Sequence, residues 1–169
     1  MTHGAFEPLA GVDHYTEAGR LRADDLAVRS RAAEMLAHAA QALTAAAAEY
    51  RRVHVPPPTR EQPFPPKELM EPAVVARRCA DRYAAVADRV RNAPFPPDPK
   101  KAWKKLRGPG AARLLDLDRS LVGQAEYAAA VVSGVVADLL AEVPARDAEE
   151  ALAAVTSTLE ERTAYLGAL

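Results

Sequence analysis

Residues 111–143 read AARLLDLDRSLVGQAEYAAAVVSGVVADLLAEV, with no internal proline and Pro144 directly after them. Leu114, Leu117, Leu121, Ala125, Ala128, Val132, Val135 and Leu139 step by three and four, which is one face of an α-helix. A helix of about 33 residues rising 1.5 Å each is a rod of roughly 50 Å. Leu115, Val122, Ala129, Val136, Leu140 and Val143 widen the apolar face beyond a two-stranded seam, so neighbours are needed on more than one side. The stretch is predicted to be the hub of a helical bundle.

Upstream of the hub, residues 1–15 carry Gly4, Pro8 and Gly11 and read as an irregular arm. Asp13 or Thr16 is placed to cap a first helix running to about His54. The inward steps of that helix (Ala33, Leu36, Ala40, Leu43, Ala47, Tyr50) are mostly alanine. Such a face calls for a close partner with larger side chains, a role the hub fits. VPPPTREQPFPP, residues 55–66, is barred from helix and favours extended polyproline II, leaving open how the first two helices pair.

A second helix is expected from near Pro72 to about Asn92, with Lys67–Met70 as a preceding turn. Its inner stripe is Ala76, Cys79, Tyr83, Val86 and Val90, and arginines 77, 78, 82, 89 and 91 cover much of the rest. Residues 93–110 form a second proline-rich connector that repeats the P-F-P-P of 63–66, so Phe64 and Phe95 are each expected to plug a bundle end. Within it, about two helical turns fit between Pro99 and Arg107 before Gly108-Pro109-Gly110. After Pro144 a last helix is expected, with Asp147 to Glu150 as its capping box and Ala148, Leu152, Val155, Leu159 and Leu166 inward. The predicted fold is all-α: a single domain spanning 1–169, an elongated antiparallel bundle of four main helices with a short basic helix before the third.

Composition agrees with this. Of 169 residues, 49% are hydrophobic but only 5% aromatic, because alanine supplies much of the apolar share. No alternating β-branched run competes with the helical pattern. One cysteine, Cys79, excludes an internal disulfide and fits a reducing cytoplasm. The first 20 residues lack a signal pattern, and no run of about 20 consecutive apolar residues suggests a membrane span. The net charge of −1 is unevenly spread. Residues 67–113 hold 12 Lys+Arg against 5 Asp+Glu, whereas residues 114–169 hold 3 against 10.

Catalytic and metal-binding patterns are missing. There is no Glu-x-x-His, no His-x-x-x-His and no cysteine pair, and Glu34 with His38 has the spacing of a solvated surface pair. Cys79 falls on an inner stripe, where a thiol is inert. Ser120 and Ser133 lack a nucleophile-elbow setting, and no phosphate loop occurs. Asp116 and Asp118 point apart on a helix and are not expected to act together. Gly123 and Gly134 are expected to allow close helix crossing. No cofactor is expected.

The sharpest chemical signal is KKAWKKLRG. Lys100, Lys101, Lys104, Lys105 and Arg107 surround Trp103 and Leu106, which share a face. Such a segment suits a phospholipid surface or nucleic-acid phosphates, with Trp103 as anchor. The plainer expectation is a basic connector whose Trp103 and Leu106 cover the bundle end. Pro63-x-x-Pro66 and Pro94-x-x-Pro97 match ligands of aromatic-grooved domains but read first as rigid connectors. The function expected is that of a non-catalytic cytoplasmic interaction or scaffold module, with another protein as partner and surface left on the first helix for a homo-oligomer. The alternatives are an adaptor that binds an anionic surface through residues 100–107, and an enzyme or small-molecule binder with a pocket between helices.

Overall fold

The computed structural model describes residues 17–94, 101–102, 105–106, 109–138 and 146–168, apart from the side chains of 17–23, 138 and 146. Four long helices make up the fold: α1 Glu17–His54, α2 Lys67–Arg91, α3 Pro109–Asp138 and α4 Arg146–Gly167. Among the described residues there is no strand. The all-α bundle read from the sequence is the observed architecture.

Side-chain pairs fix the directions. Arg29, near the start of α1, reaches the carbonyls of Arg91 and Ala93 at the end of α2, while Ala47 and Tyr50 pack with Ala73 and Ala76 near its start. α1 and α2 are therefore antiparallel neighbours, which settles the pairing that the proline segment left open. Arg162 near the end of α4 meets Asp118 near the start of α3, so these two are also antiparallel. Arg82–Glu149 and Arg89–Glu160 run in step along α2 and α4, which lie parallel. α2 therefore ends, and α3 begins, at the same end of the bundle.

One core unites the helices: Leu36 and Leu43 from α1, Tyr83 and Val90 from α2, Leu121 and Val132 from α3, Leu152 and Val155 from α4. α1 packs more extensively on α2 than on α3. The expected pairing of the alanine face with the hub is secondary. α2 also brings alanines (Ala73, Ala76, Ala80, Ala87), and two small faces let backbones approach closely. By length and composition alone, α3 is apolar enough to cross a membrane. Here Leu114, Leu117, Leu121, Ala125, Ala128, Val132 and Val135 of that helix are buried in the bundle.

Three local expectations are corrected. α2 begins at Lys67, five residues before Pro72, which lies inside the helix. The first turn closes through the Leu69 N–H donating to the Pro66 carbonyl at 3.2 Å. The pyrrolidine forfeits only the bond to the carbonyl of Glu68, a residue exposed to water. Phe64 plugs nothing and is 83% exposed. Gly123 and Gly134 are exposed, and a Cβ built on either would meet open space, so neither marks a close crossing. Phe95 and residues 139–143 of the predicted hub helix lie outside the described residues.

Candidate functional site

Of the basic segment, Lys100, Trp103, Lys104 and Arg107 lie outside the described residues. Lys101, Ala102 and Lys105 are helical, and the Leu106 N–H donates to the Ala102 carbonyl at 3.0 Å. Leu106 is buried against Leu114, Leu166 and Tyr165, so it covers the bundle end as the connector expectation had it. The Tyr165 hydroxyl donates to the Gly110 carbonyl at 2.9 Å and ties α4 to the first turn of α3. Lys101 and Lys105 are exposed, and each already interacts within the chain.

Part of the charge asymmetry is spent inside the molecule. Arg82 pairs with Glu149 at 2.6 Å, Arg89 with Glu160 at 3.3 Å, and Arg113 with Glu161. The basic face of α2 and the acidic face of α4 are thus neighbours. These exposed pairs add little stability each, but they lower the field available to an outside anion. An open groove of about 720 Å³ beside them, between the end of α2 and α4, is lined by Arg89, Asn92, Glu160 and Thr163 among others.

Sequence reading missed a buried charge network at the same end. Asp25, Arg29, Asp118 and Arg162 are the buried charged residues among those described. Arg29 donates from Nε and Nη2 to Asp25 Oδ2 at 3.2 and 2.9 Å, and from Nη1 to the carbonyls of Arg91 (2.9 Å) and Ala93 (3.2 Å). Arg162 donates from Nε to Asp118 Oδ1 at 2.6 Å and from Nη2 to Asp25 Oδ1. Two guanidiniums and two carboxylates join α1, α3 and α4 to the last carbonyls of α2.

Burial pushes the Asp118 carboxyl above its ordinary range, against the attraction and hydrogen bond of Arg162, and the charges of Asp25 and Asp24 push the same way as burial. Burial works to lower Arg162, but Asp118 and Asp25 outweigh it and raise its pKa, so the guanidinium stays charged. The network is buried, with Arg162 and Asp25 each 1% exposed. Its chemistry is structural: charges that cannot be left unpaired dictate which helices meet and at what level.

Other sequence candidates resolve simply. Cys79 is buried, and desolvation, with help from Glu149 and against Arg82, raises its pKa and keeps the thiol protonated. Burial, followed by the proximity of Cys79, likewise raises Tyr83. Its hydroxyl donates to the Ala148 carbonyl at 2.8 Å and pins α4 to α2. Glu34 and His38 are both exposed. Among the described residues no group of three His, Cys, Asp or Glu side chains is placed to hold a metal. His54 stacks on Tyr50, centroids 4.6 Å apart.

The remaining feature lies at the opposite end. Ala47, Tyr50, Ala73 and Ala76 form a separate small core that contains no α3 or α4 residue among those described. The last turns of α1 and the first of α2 stand there as a two-helix hairpin. Five of the eight exposed large apolar side chains (Val53, Phe64, Leu69, Val74 and Val75) fall within this tip, a density that the rest of the described surface does not approach. Neither the tip residues nor the buried charges were singled out as sites from the sequence. No protein-family model, curated protein or solved structure matches the chain.

Proposed function

We propose that the protein is a protein-interaction module that docks a partner protein at the free end of the α1–α2 hairpin. The observation that carries this reading is the clustering of Val53, Phe64, Leu69, Val74 and Val75 at an end where, among the described residues, the small core is built from α1 and α2 alone. Apolar side chains concentrated on a projecting element mark contact surfaces rather than folding cores. The tip is also built for presentation. Alanine packing of α1 on α2, with Tyr50 buried between them, holds its shape through α1 and α2 residues alone among those described. A preformed surface loses little entropy on docking. The anion-adaptor reading is weaker, because Arg82, Arg89 and Arg113 are paired with glutamates and Lys101 and Lys105 have interactions of their own.

Site-specific photocrosslinking in living cells tests the reading. Val75→p-benzoyl-phenylalanine should give a discrete adduct that the same substitution at Glu126, on the exposed face of α3, does not give. Adding Val74→Asp should abolish it while leaving the circular dichroism melt unchanged. Equal adduct patterns from Val75 and Glu126 would remove the tip from consideration. An adduct at twice the chain mass would identify the partner as a second copy.

A further inference from the structure

The tip ends in a segment whose backbone chemistry selects a class of partner. Residues 56–58 are three consecutive prolines, followed by Thr59, Arg60, Glu61, Gln62 and the run Pro63-Phe64-Pro65-Pro66. Each proline fixes its own φ near −65° and steers the preceding residue to extended geometry. Pro66, where dihedrals close the segment against α2, has φ −54° and ψ 135°, the polyproline II region. Every residue from Pro56 to Phe64 is exposed.

Between the two proline arms a tight turn is locked twice. The Thr59 N–H donates to the Gln62 carbonyl at 3.0 Å, and the Gln62 N–H donates to Thr59 Oγ1 at 3.0 Å. Arg60 and Glu61 are held at the apex, and Arg60 has no ion pair among the described residues. Both ends of the segment run straight into helices, with the Val55 N–H donating to the Arg51 carbonyl at 3.1 Å. The prolines are therefore presented on a fixed stem rather than on a loose tail.

We infer that Pro56–Arg60 is a docking ligand for a proline-recognising domain, one with an aromatic-lined groove and an acidic rim. Prolines carry no N–H, expose strongly accepting carbonyls and offer a flat ring edge, and aromatic grooves bind that combination. Three consecutive prolines, each with its φ fixed by the ring, have little conformational freedom to surrender on binding. The acidic rim follows from Arg60, a cation set by the turn just past the third proline and without an ion pair among the described residues. Phe64 supplies an apolar neighbour for the edge of the groove. A plain connector would need neither full exposure of the first arm nor a reinforced turn beyond it.

This inference rests on the tip being the docking surface, and the two fail in different ways. The probes are purified SH3, WW and EVH1 domains, titrated calorimetrically into the full chain at low salt. At least one is expected to bind with one-to-one stoichiometry. Pro57→Ala combined with Pro58→Ala should weaken that complex by about tenfold or more, a loss of about 1.4 kcal/mol. Arg60→Glu should weaken it similarly, and added salt should weaken wild type more than Arg60→Glu. Neither variant touches the core, and an unchanged melt shows that each is folded. If no domain binds, or if the proline variants bind as wild type does, the inference is overturned. Crosslinking from Val75 that survives the proline substitutions but is lost with Val74→Asp would leave the tip reading standing without it. If Val75 gives no specific adduct, both are lost.

Discussion

Arg162 occupies the place where an aliphatic residue would continue the α4 stripe of Leu152, Val155, Leu159 and Leu166, and it is 1% exposed. A charge survives there because Asp118 and Asp25 accept from it. The same rule exposes the network in the sequence after the fact: Asp118 lies four residues from both Leu114 and Val122, inside an apolar stripe. Paired charges of opposite sign on core faces are legible. Their mutual contact is not, because it depends on helix pairing that the proline segments leave open. Arg162→Ala strands Asp118 without its partner and removes one of the two guanidiniums on Asp25. The expected loss is about 3–5 kcal/mol in urea denaturation; a loss below about 1 kcal/mol would show that the cluster is solvated.

Asp118 also sets a pH dependence. Its folded pKa is raised above the ordinary 3.8, so the folded state holds the proton more tightly than the unfolded state does. As pH falls from neutral through the raised folded value towards 3.8, this group adds stability; as pH rises through the same window, that stability is lost. Asp118→Asn removes the term. The stability of wild type relative to Asp118→Asn should therefore increase as pH is lowered, whatever the other carboxylates do to both proteins. Urea melts of the pair at several pH values measure this difference, and a difference that shrinks on acidification would contradict the assignment.

Among the elements, α3 shows how far periodicity carries. The three-and-four spacing from Leu114 to Leu139 predicts its inner face, and the described members (Leu114, Leu117, Leu121, Ala125, Ala128, Val132 and Val135) are all buried. The glycines were misread because periodicity places a residue on a face without saying how near the next helix comes. With open space around the Cβ positions of Gly123 and Gly134, each glycine costs helix propensity and returns no packing. Gly123→Ala and Gly134→Ala should each stabilise the protein by about 1 kcal/mol, additively. The check is a shift in the urea midpoint with unchanged slope. A destabilisation at either site would mean that a partner or a bend uses the bare backbone.

At the scale of the whole molecule, the two ends of the bundle are held by different physics. One end gathers the Asp25–Arg29–Asp118–Arg162 network, the Tyr165–Gly110 bond and the Leu106 cover, which together hold the four helices at that end. The other end has the small Ala47–Tyr50–Ala73–Ala76 core and exposed valines. Helix number and composition made the bundle legible in the sequence. The polarity of its ends was not, because it arises from the level at which the helices pair, which the stripe of each helix does not encode. Opening free energy follows local burial and tertiary bonding. Amide exchange should therefore be slow in residues 25–36, 83–90, 117–128 and 155–162, and faster by orders of magnitude in 47–54 and 67–75, although both groups are helical. Binding of a partner at the tip should then slow exchange in 47–54 and 67–75 and leave the charged end unchanged. Uniform protection along α1 would mean that the hairpin end is as well held as the core, and would contradict the link between opening free energy and the unequal burial at the two ends.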